Sequence, residues 1–124
     1  VARVSVRGPG TDAFFRDDHV FVEAAGFWVR GGRTAGVVLS QGTVFAGRTR
    51  VLVLRNGGAS NTVTIRSGAW QEVVSMASWQ ERVVGLPAAD PRGAWPLTIT
   101  SASGFQPSVT SGGTDTRFLG VWVQ

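Results

Sequence analysis

Hydrophobic and polar residues alternate with a period of two along much of this chain. In residues 61–66, Val63 and Ile65 alternate with threonine and arginine, and Leu97 and Ile99 alternate with threonine further on. Successive side chains of a strand point to opposite faces of a sheet, so the pattern predicts strands with one buried and one exposed face. Glycine and proline turn signals recur at intervals of roughly eight to twelve residues, which is typical of sandwiches and barrels. The sequence therefore predicts an all-β fold, an antiparallel two-sheet β-sandwich, jelly-roll-like, with about eight to ten strands.

Two local patterns predict how the chain turns. Gly31 and Gly32 lie between the apolar segments FWVR and RTAGVVL. This pair predicts a two-residue hairpin, because glycine accepts the positive φ of the primed turns. The segment TDAFFRDD (residues 11–18) is the one place where a short helical turn is expected.

The last segment, RFLGVWV, is apolar on both faces, with Leu119, Val121 and Val123 on one of them. A strand of this kind belongs inside a sheet and not at its edge. Asp115 and Arg117 precede it at spacing i, i+2, where they can pair with each other or bind loop backbone groups. We expect this pair to set the register of the closing strand, a structural role, and not to bind a ligand.

Length and composition indicate one domain over residues 1–124. The chain opens at Val1 without methionine or a signal peptide, so we interpret it as excised from a longer protein, with residues 1–11 as a linker or first strand. No apolar run reaches the ~20 residues of a transmembrane helix, and the absence of cysteine excludes disulfides and thiolate metal sites.

The net charge of +4 comes from twelve arginines, without lysine, set against eight acids. The arginines are scattered along the chain, whereas nucleic-acid binding needs a clustered basic surface. Folding could still bring RGGR and GRTR together, so a nucleic-acid-binding β domain stays a weaker alternative.

Few residues indicate catalysis or a cofactor. His19 is the only histidine, and no serine sits in a nucleophile elbow, so we predict no enzyme activity. Asp17, Asp18 and Glu23 could supply oxygen ligands to a structural Ca²⁺, although their spacing matches no calcium loop. Two acids before a strand also serve to protect a sheet edge, so no cofactor is expected beyond this candidate ion.

Five tryptophans are the most suggestive feature of the composition. Trp70, Trp79 and Trp95 lie near predicted loops with polar neighbours, and they could form a platform for sugar rings, with Asp90 and Arg92 binding hydroxyl groups. The alternative is that they cap the ends of the sandwich core.

Trp28 and Trp122 differ from these three because they lie inside apolar strands. We expect them in the core unless alternation turns them outward. Glu23 and Arg30 flank Trp28 and are predicted to form a structural ion pair or to cover its ring.

The order GFWVRGG with Glu23 before it, then VVGLP, LTITSASGFQPS and TDTRFLGVWV, resembles a known family over about residues 18–123. The family is the C-terminal, carbohydrate-binding-module-like β-sandwich domain of bacterial glycosyltransferases and related membrane-linked polysaccharide enzymes. The resemblance implies a periplasmic or other extracytoplasmic setting, with membrane association through the parent protein.

Residues and resemblance together predict a non-catalytic accessory domain that binds or positions a glycan for an enzyme of cell-envelope polysaccharide assembly. The alternative is a purely structural domain that packs on the catalytic or membrane part of its own chain. The two hypotheses differ in whether the loop tryptophans are exposed on a shared face.

Overall fold

The computed structural model describes residues 3–5, 11–110 and 114–124. This part of the chain forms eleven strands, a 3₁₀ turn and a four-residue helix. The strands are β1 (Arg3–Ser5), β2 (Asp12–Phe15), β3 (Val20–Glu23), β4 (Gly26–Arg30), β5 (Thr34–Ser40), β6 (Val51–Asn56), β7 (Asn61–Ser67), β8 (Trp70–Met76), β9 (Glu81–Gly85), β10 (Ala94–Ser101) and β11 (Leu119–Val123). The 3₁₀ turn is Thr43–Phe45, and the helix, α1, is Pro107–Thr110.

Two antiparallel sheets pack face to face, as the alternation of the sequence predicts. The six-stranded sheet has the order β1-β2-β5-β10-β7-β8, and the five-stranded sheet has the order β3-β4-β11-β6-β9. The chain passes repeatedly from one sheet to the other, so most strands pair with partners distant in sequence, as in a jelly roll. The all-β sandwich is therefore confirmed, with one strand more than the predicted eight to ten.

The core lies between the sheets and is made by the inward residues of the alternating strands. Its largest fully buried side chains come from both sheets, and the rings of Phe15 and Phe27 meet across the interface with centroids 4.9 Å apart. Burial of each such aliphatic or aromatic side chain contributes roughly 1.5–3 kcal/mol. These side chains are Trp95, Phe27, Leu39, Leu52, Leu54, Ile65 and Ile99.

Two local predictions are wrong. The segment predicted to form a helical turn contains β2, because Ala13 and Phe15 alternate with exposed residues and enter the core. Gly31 and Gly32 do not close a hairpin, since β4 pairs with β3 and β11 while β5 pairs with β2 and β10. The glycine pair instead carries the chain from one sheet to the other.

The closing strand β11 is the central strand of its sheet, as its two apolar faces predict. It pairs with β4 on one side and β6 on the other, and a bulge lies between Leu119 and Val121. At the bulge, a Cβ on Gly120 would overlap the hydroxyl of Ser101 and lie 2.7 Å from the carbonyl oxygen of Val29.

Within residues 1–11, which were predicted to be a linker or first strand, Arg3–Ser5 form β1, a strand paired with β2; residues 1, 2 and 6–10 lie outside the described residues. Among the described helices, none has the length and apolar character needed to cross a bilayer.

Candidate functional site

One residue from each strand of the five-stranded sheet joins a row across its outer face, which we call the transverse row. Each member lies directly opposite the next in the strand register. Side chains opposite each other on one face are about 4.5–5.5 Å apart at Cβ and interact directly. In strand order from β3 to β9, the transverse row is Phe21, Trp28, Trp122, Arg55 and Glu81.

The two tryptophans of the row lie half-buried on the outer surface and not in the core. Their ring centroids are 5.6 Å apart, and the Nε1 of Trp122 donates to the side-chain oxygen of Gln124 at 3.1 Å. Trp122 packs on Gly26, where a Cβ would lie 2.9 Å from its ring. The glycine that begins the GFW motif therefore leaves room for the indole of Trp122, which comes from another strand.

Phe105 supports the tryptophans from the side. Its ring is buried and makes edge contacts with Trp28 at 5.8 Å and with Trp79 at 5.5 Å between centroids. Backbone hydrogen bonds in both directions join Phe105 to Leu119. A Cβ on Gly57 would overlap the Phe105 ring, so the first glycine of NGG is required by packing.

Trp79 lies at the tip of the turn between β8 and β9. It is 66% exposed, and its φ of 62° puts its backbone in the left-handed region. The turn is fixed by several hydrogen bonds: the Trp79 amide donates to the Gly57 carbonyl at 2.8 Å, and Asn56 donates through its side-chain amide to the Ala77 carbonyl at 2.9 Å. In addition, the Ala77 amide donates to Oε1 of Gln80 at 2.8 Å.

These side chains enclose a groove with a volume of about 380 Å³, which we call the tryptophan groove. Its apolar surface comes from three indoles and its polar surface from a carboxylate, a guanidinium and an amide. The lining residues are Trp28, Trp79, Trp122, Glu23, Arg55 and Asn56.

Glu23 is held at the groove by the segment that precedes β11. Its Oε1 accepts from Arg117 at 3.3 Å, and Arg117 also contacts Oδ2 of Asp115 at 2.8 Å. Hydrogen bonds from the Arg117 side chain and backbone lower the pKa of Asp115, and bonding to Asp115 raises the pKa of Arg117. Both groups are therefore charged at neutral pH.

Of the two roles predicted for Glu23 and Arg30, the ion pair between them is wrong. Glu23 lies opposite Gly26 at one end of β3, whereas Arg30 lies opposite the other end of that strand. The Arg30 guanidinium instead stacks on Phe21, 4.4 Å from the ring centroid, and its Nε has no hydrogen-bond partner among the described residues. Arg117 approaches the same ring at 5.2 Å.

On the β6 side of the groove, Arg55 pairs with Glu81 of β9 through Nε and Oε2 at 3.2 Å. Both ionic groups that line the groove, Glu23 and Arg55, therefore have opposite charges bound to them within the protein.

The structure does not bring the predicted sugar platform together. Trp95 is 1% exposed in the core, where its Nε1 donates to the Pro87 carbonyl at 2.8 Å, so it cannot stack on a ligand. Trp70 is half-buried against the core at the start of β8, a strand about 20 Å long at 3.3 Å per residue, and Trp79 lies beyond the other end of that strand. Of the three tryptophans predicted, only Trp79 lines the groove.

Asp90 and Arg92 lie in the loop before β10, away from this groove. Asp90 Oδ1 accepts from the backbone amides of Arg92 and Ala94 at 2.9 and 3.0 Å, so the carboxylate stabilises its own loop. The Arg92 side chain is exposed and lies 3.9 Å from Asp90.

The candidate calcium ligands do not form one site. Asp17 accepts from the backbone amides of His19 and Gly36, and the exposed Asp18 lies 3.8 Å from the His19 ring, whereas Glu23 binds Arg117. Within residues 3–5, 11–110 and 114–124, no group of three His, Cys, Asp or Glu side chains could hold a metal ion. His19 is also engaged, because its Nδ1 donates to the Thr34 carbonyl at 2.7 Å.

Sequence reasoning missed Phe105, Arg55 and Trp122 as site residues. The alternation within RFLGVWV places Trp122 on the face opposite to Val121 and Val123, so a signal for the outward tryptophan was present. No local signal pairs Trp122 with Trp28, because the pairing of β11 with β4 joins segments about 90 residues apart.

Fold and site together define an all-β sandwich with a tryptophan-walled groove on the outer face of its five-stranded sheet. No family model matches the chain, and no curated protein matches it either. Among solved structures, it is similar to one described as "Family 16 Carbohydrate Binding Module-2", with 15% sequence identity over 92% of this chain and 81% of that chain and a TM-score of 0.36. Because identity and TM-score are low, the ligand has to be inferred from the groove itself.

Proposed function

We propose that the chain is a non-catalytic glycan-binding domain and that the tryptophan groove is its binding site. The observation that carries the proposal is the convergence of Trp28, Trp79 and Trp122 around one open groove. Indole faces pack well against the C–H faces of sugar rings, and a few convergent polar groups are what a ligand site needs for orientation. Glu23 and Arg55 provide an acceptor and donors for hydroxyl groups.

The same groove supports binding without hydrolysis. Glycoside hydrolysis uses two carboxyl groups on either side of the scissile bond. Glu23 is the one carboxylate among the described residues that line the groove, and its Oε1 is bonded to Arg117. We therefore propose an accessory role: the domain holds a glycan for an enzyme of cell-envelope polysaccharide assembly, as the resemblance of the sequence implies.

A glycan array probed with the 124-residue chain, followed by calorimetry on the hits, tests this proposal. Trp79→Ala should weaken binding at least about tenfold, which corresponds to about 1.4 kcal/mol, a typical value for a stacked aromatic ring. Trp70→Ala is the matched control, because it removes the same side chain from the far end of β8 and should change affinity less than about twofold.

Circular dichroism and thermal melting of both variants would show that each is folded. A blank array with folded protein, or an equal loss in the two variants, would contradict the proposal. An array without hits would favour the alternative, in which the domain is structural and the groove packs against another part of the parent protein.

A further inference from the structure

Two depressions lie on the outer face of the six-stranded sheet, on the side of the molecule opposite to the tryptophan groove. Their volumes are about 290 and 310 Å³, and the two adjoin, because Arg16 and Pro96 line both of them. Together we call them the arginine groove. The lining residues that define it are Phe14, Arg16, Val38, Arg66, Arg92 and Pro96.

An apolar row of side chains crosses the floor of the arginine groove. Phe14 of β2, Val38 of β5 and Pro96 of β10 lie opposite one another in the strand register. All three alternate with buried residues and point outward, and Phe14 is 37% exposed. An exposed ring with aliphatic neighbours is a surface against which the C–H faces of sugars can pack.

Pro96 also explains why the sheet opens at this point. Proline has no backbone N–H to donate to a neighbouring strand. β10 pairs with β5 from Ala94 to Thr100, whereas it pairs with β7 only from Thr98 onward. The space beside Pro96 that β7 leaves unpaired is part of the second depression, and Arg66 lines it from the β7 side.

Three guanidinium groups surround this floor. Arg16 follows β2, Arg66 belongs to β7, and Arg92 lies in the loop before β10, and all three residues are exposed. A Cβ on Gly36 of β5 would lie 3.3 and 3.4 Å from Cβ and Cδ of Arg16. Glycine at position 36 therefore leaves room for the Arg16 side chain to lie close against the sheet.

Arg16 and Arg66 lie in a single row that crosses four strands. The Arg16 amide donates to the Gly36 carbonyl of β5 at 2.9 Å, so these two residues are side by side. Thr98 of β10 lies opposite Gly36 on one side and opposite Arg66 on the other. The two arginines are therefore three strand spacings apart, about 14 Å between their Cα atoms, which is wider than a single sugar ring.

The arginine groove has a surplus of positive charge. Among the described residues, no hydrogen bond, ion pair or ring contact involves the guanidinium of Arg16 or Arg66. Arg92 lies 3.9 Å from Asp90, the one acid in the lining, whose Oδ1 already accepts from two backbone amides. Three arginines and one aspartate leave the lining with a net charge of +2. Asp12 lies outside the lining, opposite Ser40, and has an interaction of its own.

The tryptophan groove has no such surplus. There, Arg117 is shared by Glu23 and Asp115, and Arg55 pairs with Glu81. A ligand with negative charges is therefore attracted to the arginine groove and not to the tryptophan groove. Guanidinium groups suit such a ligand, because their planar fork of donors binds carboxylate and phosphate through two hydrogen bonds at once.

We propose that the arginine groove is a second binding site and that its ligand is an acidic polysaccharide. Carboxylate or phosphate groups of the polymer bind Arg16, Arg66 and Arg92, while its sugar rings lie on the apolar row. The width of the row between Arg16 and Arg66 fits a chain with repeated charges. A single-stranded nucleic acid fits less well, because such ligands stack successive bases on aromatic rings, and the described lining has one ring, that of Phe14.

The test compares acidic probes with neutral probes of the same backbone, titrated calorimetrically into the 124-residue chain at low salt. The two pairs are oligogalacturonate with its methyl ester, and dextran phosphate with dextran. At least one acidic probe should bind at least about tenfold more tightly than its neutral counterpart, and the pair that responds identifies the anion. Arg16→Gln should weaken this binding at least about tenfold, because hydrogen bonds between charged groups contribute more than neutral ones.

Arg82→Gln is the matched control. It removes the same charge from β9 of the other sheet, where the residue is exposed and has no ion pair among the described residues. Its affinity for the acidic probe should stay within about twofold of the wild type. An equal loss in Arg16→Gln and Arg82→Gln would overturn the proposal, since net charge alone would then explain the binding.

Three other results would also overturn the proposal. One is the absence of binding to both acidic probes. Another is binding of the acidic probe that Arg16→Gln keeps and Trp79→Ala abolishes, because the ligand would then lie in the tryptophan groove. The third is tighter binding of a random-sequence single-stranded DNA that Arg16→Gln abolishes, which would make the arginine groove a nucleic-acid site. Binding of a neutral glycan in the tryptophan groove is tested separately and is unaffected by the first and third of these results.

Discussion

At position 79 a tryptophan occupies a backbone conformation that usually belongs to glycine or asparagine. The turn hydrogen bonds determine φ at this position, and the ring is oriented by its edge contact with Phe105. Glycine would adopt this backbone conformation without strain but would lose the ring contact with Phe105. Tryptophan accepts the strain and places an indole that is 66% exposed at the edge of the groove.

A pair of variants separates the strain at this position from the loss of the ring. Trp79→Gly and Trp79→Ala both remove the contact with Phe105, but only alanine keeps the left-handed strain. We expect Trp79→Gly to be the more stable of the two by about 1 kcal/mol, measured as free energy of unfolding in urea. Equal stabilities, or a more stable alanine variant, would show that the backbone at position 79 is not strained.

At the scale of elements, the closing strand organises the site. β11 supplies Trp122, its bulge accommodates Ser101, and the segment before it supplies Arg117 to hold Glu23. Because β11 is the central strand, its position determines which residues of β4 and β6 come together in the transverse row. The pairing of Asp115 with Arg117 was expected from their spacing. Because Arg117 also binds Glu23, the pair helps to position a side chain that lines the groove.

Two glycines on the five-stranded sheet offer a matched test of this arrangement. Gly120→Ala places a methyl group against Ser101 and the Val29 carbonyl, and overpacking of this kind costs typically about 1–3 kcal/mol. Gly85→Ala, in β9, meets no atom within 4 Å and should be neutral or slightly stabilising. Chemical unfolding of both variants measures the difference. If Gly120→Ala is as stable as Gly85→Ala, the described bulge geometry is wrong.

At the scale of the whole molecule, the positive charge does not concentrate in the tryptophan groove. The chain has a net charge of +4, yet the two ionic groups that line this groove are each paired with an opposite charge. Exposed pairs of this kind contribute little to stability, and because Arg117 is shared by Glu23 and Asp115, they leave no surplus positive charge at the groove to attract a polyanion.

Binding of the glycan hit should therefore depend little on salt. We expect its dissociation constant to change less than about twofold between 50 and 500 mM NaCl in calorimetric titrations. A nucleic-acid-binding domain would behave differently, since log K falls with log salt at a slope of about −0.9 per phosphate contact. Salt-sensitive binding of random-sequence DNA, stronger than that of any glycan, would favour the weaker alternative.

The sequence by itself determined the fold class and the faces of most strands, because side-chain direction in a strand follows directly from period-two alternation. Val63 and Ile65 are buried as predicted, and Leu119, Val121 and Val123 enter the core. The interior position of β11 was also predicted correctly from its two apolar faces, although the outer face of the strand is only partly covered, since Trp122 is half-buried there.

Only the tertiary structure decided which tryptophans meet. Strand pairing between segments distant in sequence joined Trp28 to Trp122, while Trp95 entered the core and Trp70 was carried to the far end of β8. Alternation could place Trp122 outward, but Trp70, Trp79 and Trp95 all lie near loops with polar neighbours, so the local pattern could not separate the buried indole of Trp95 from the groove wall at Trp79. The order of strands in the two sheets makes that distinction, and it depends on long-range contacts that no local segment encodes.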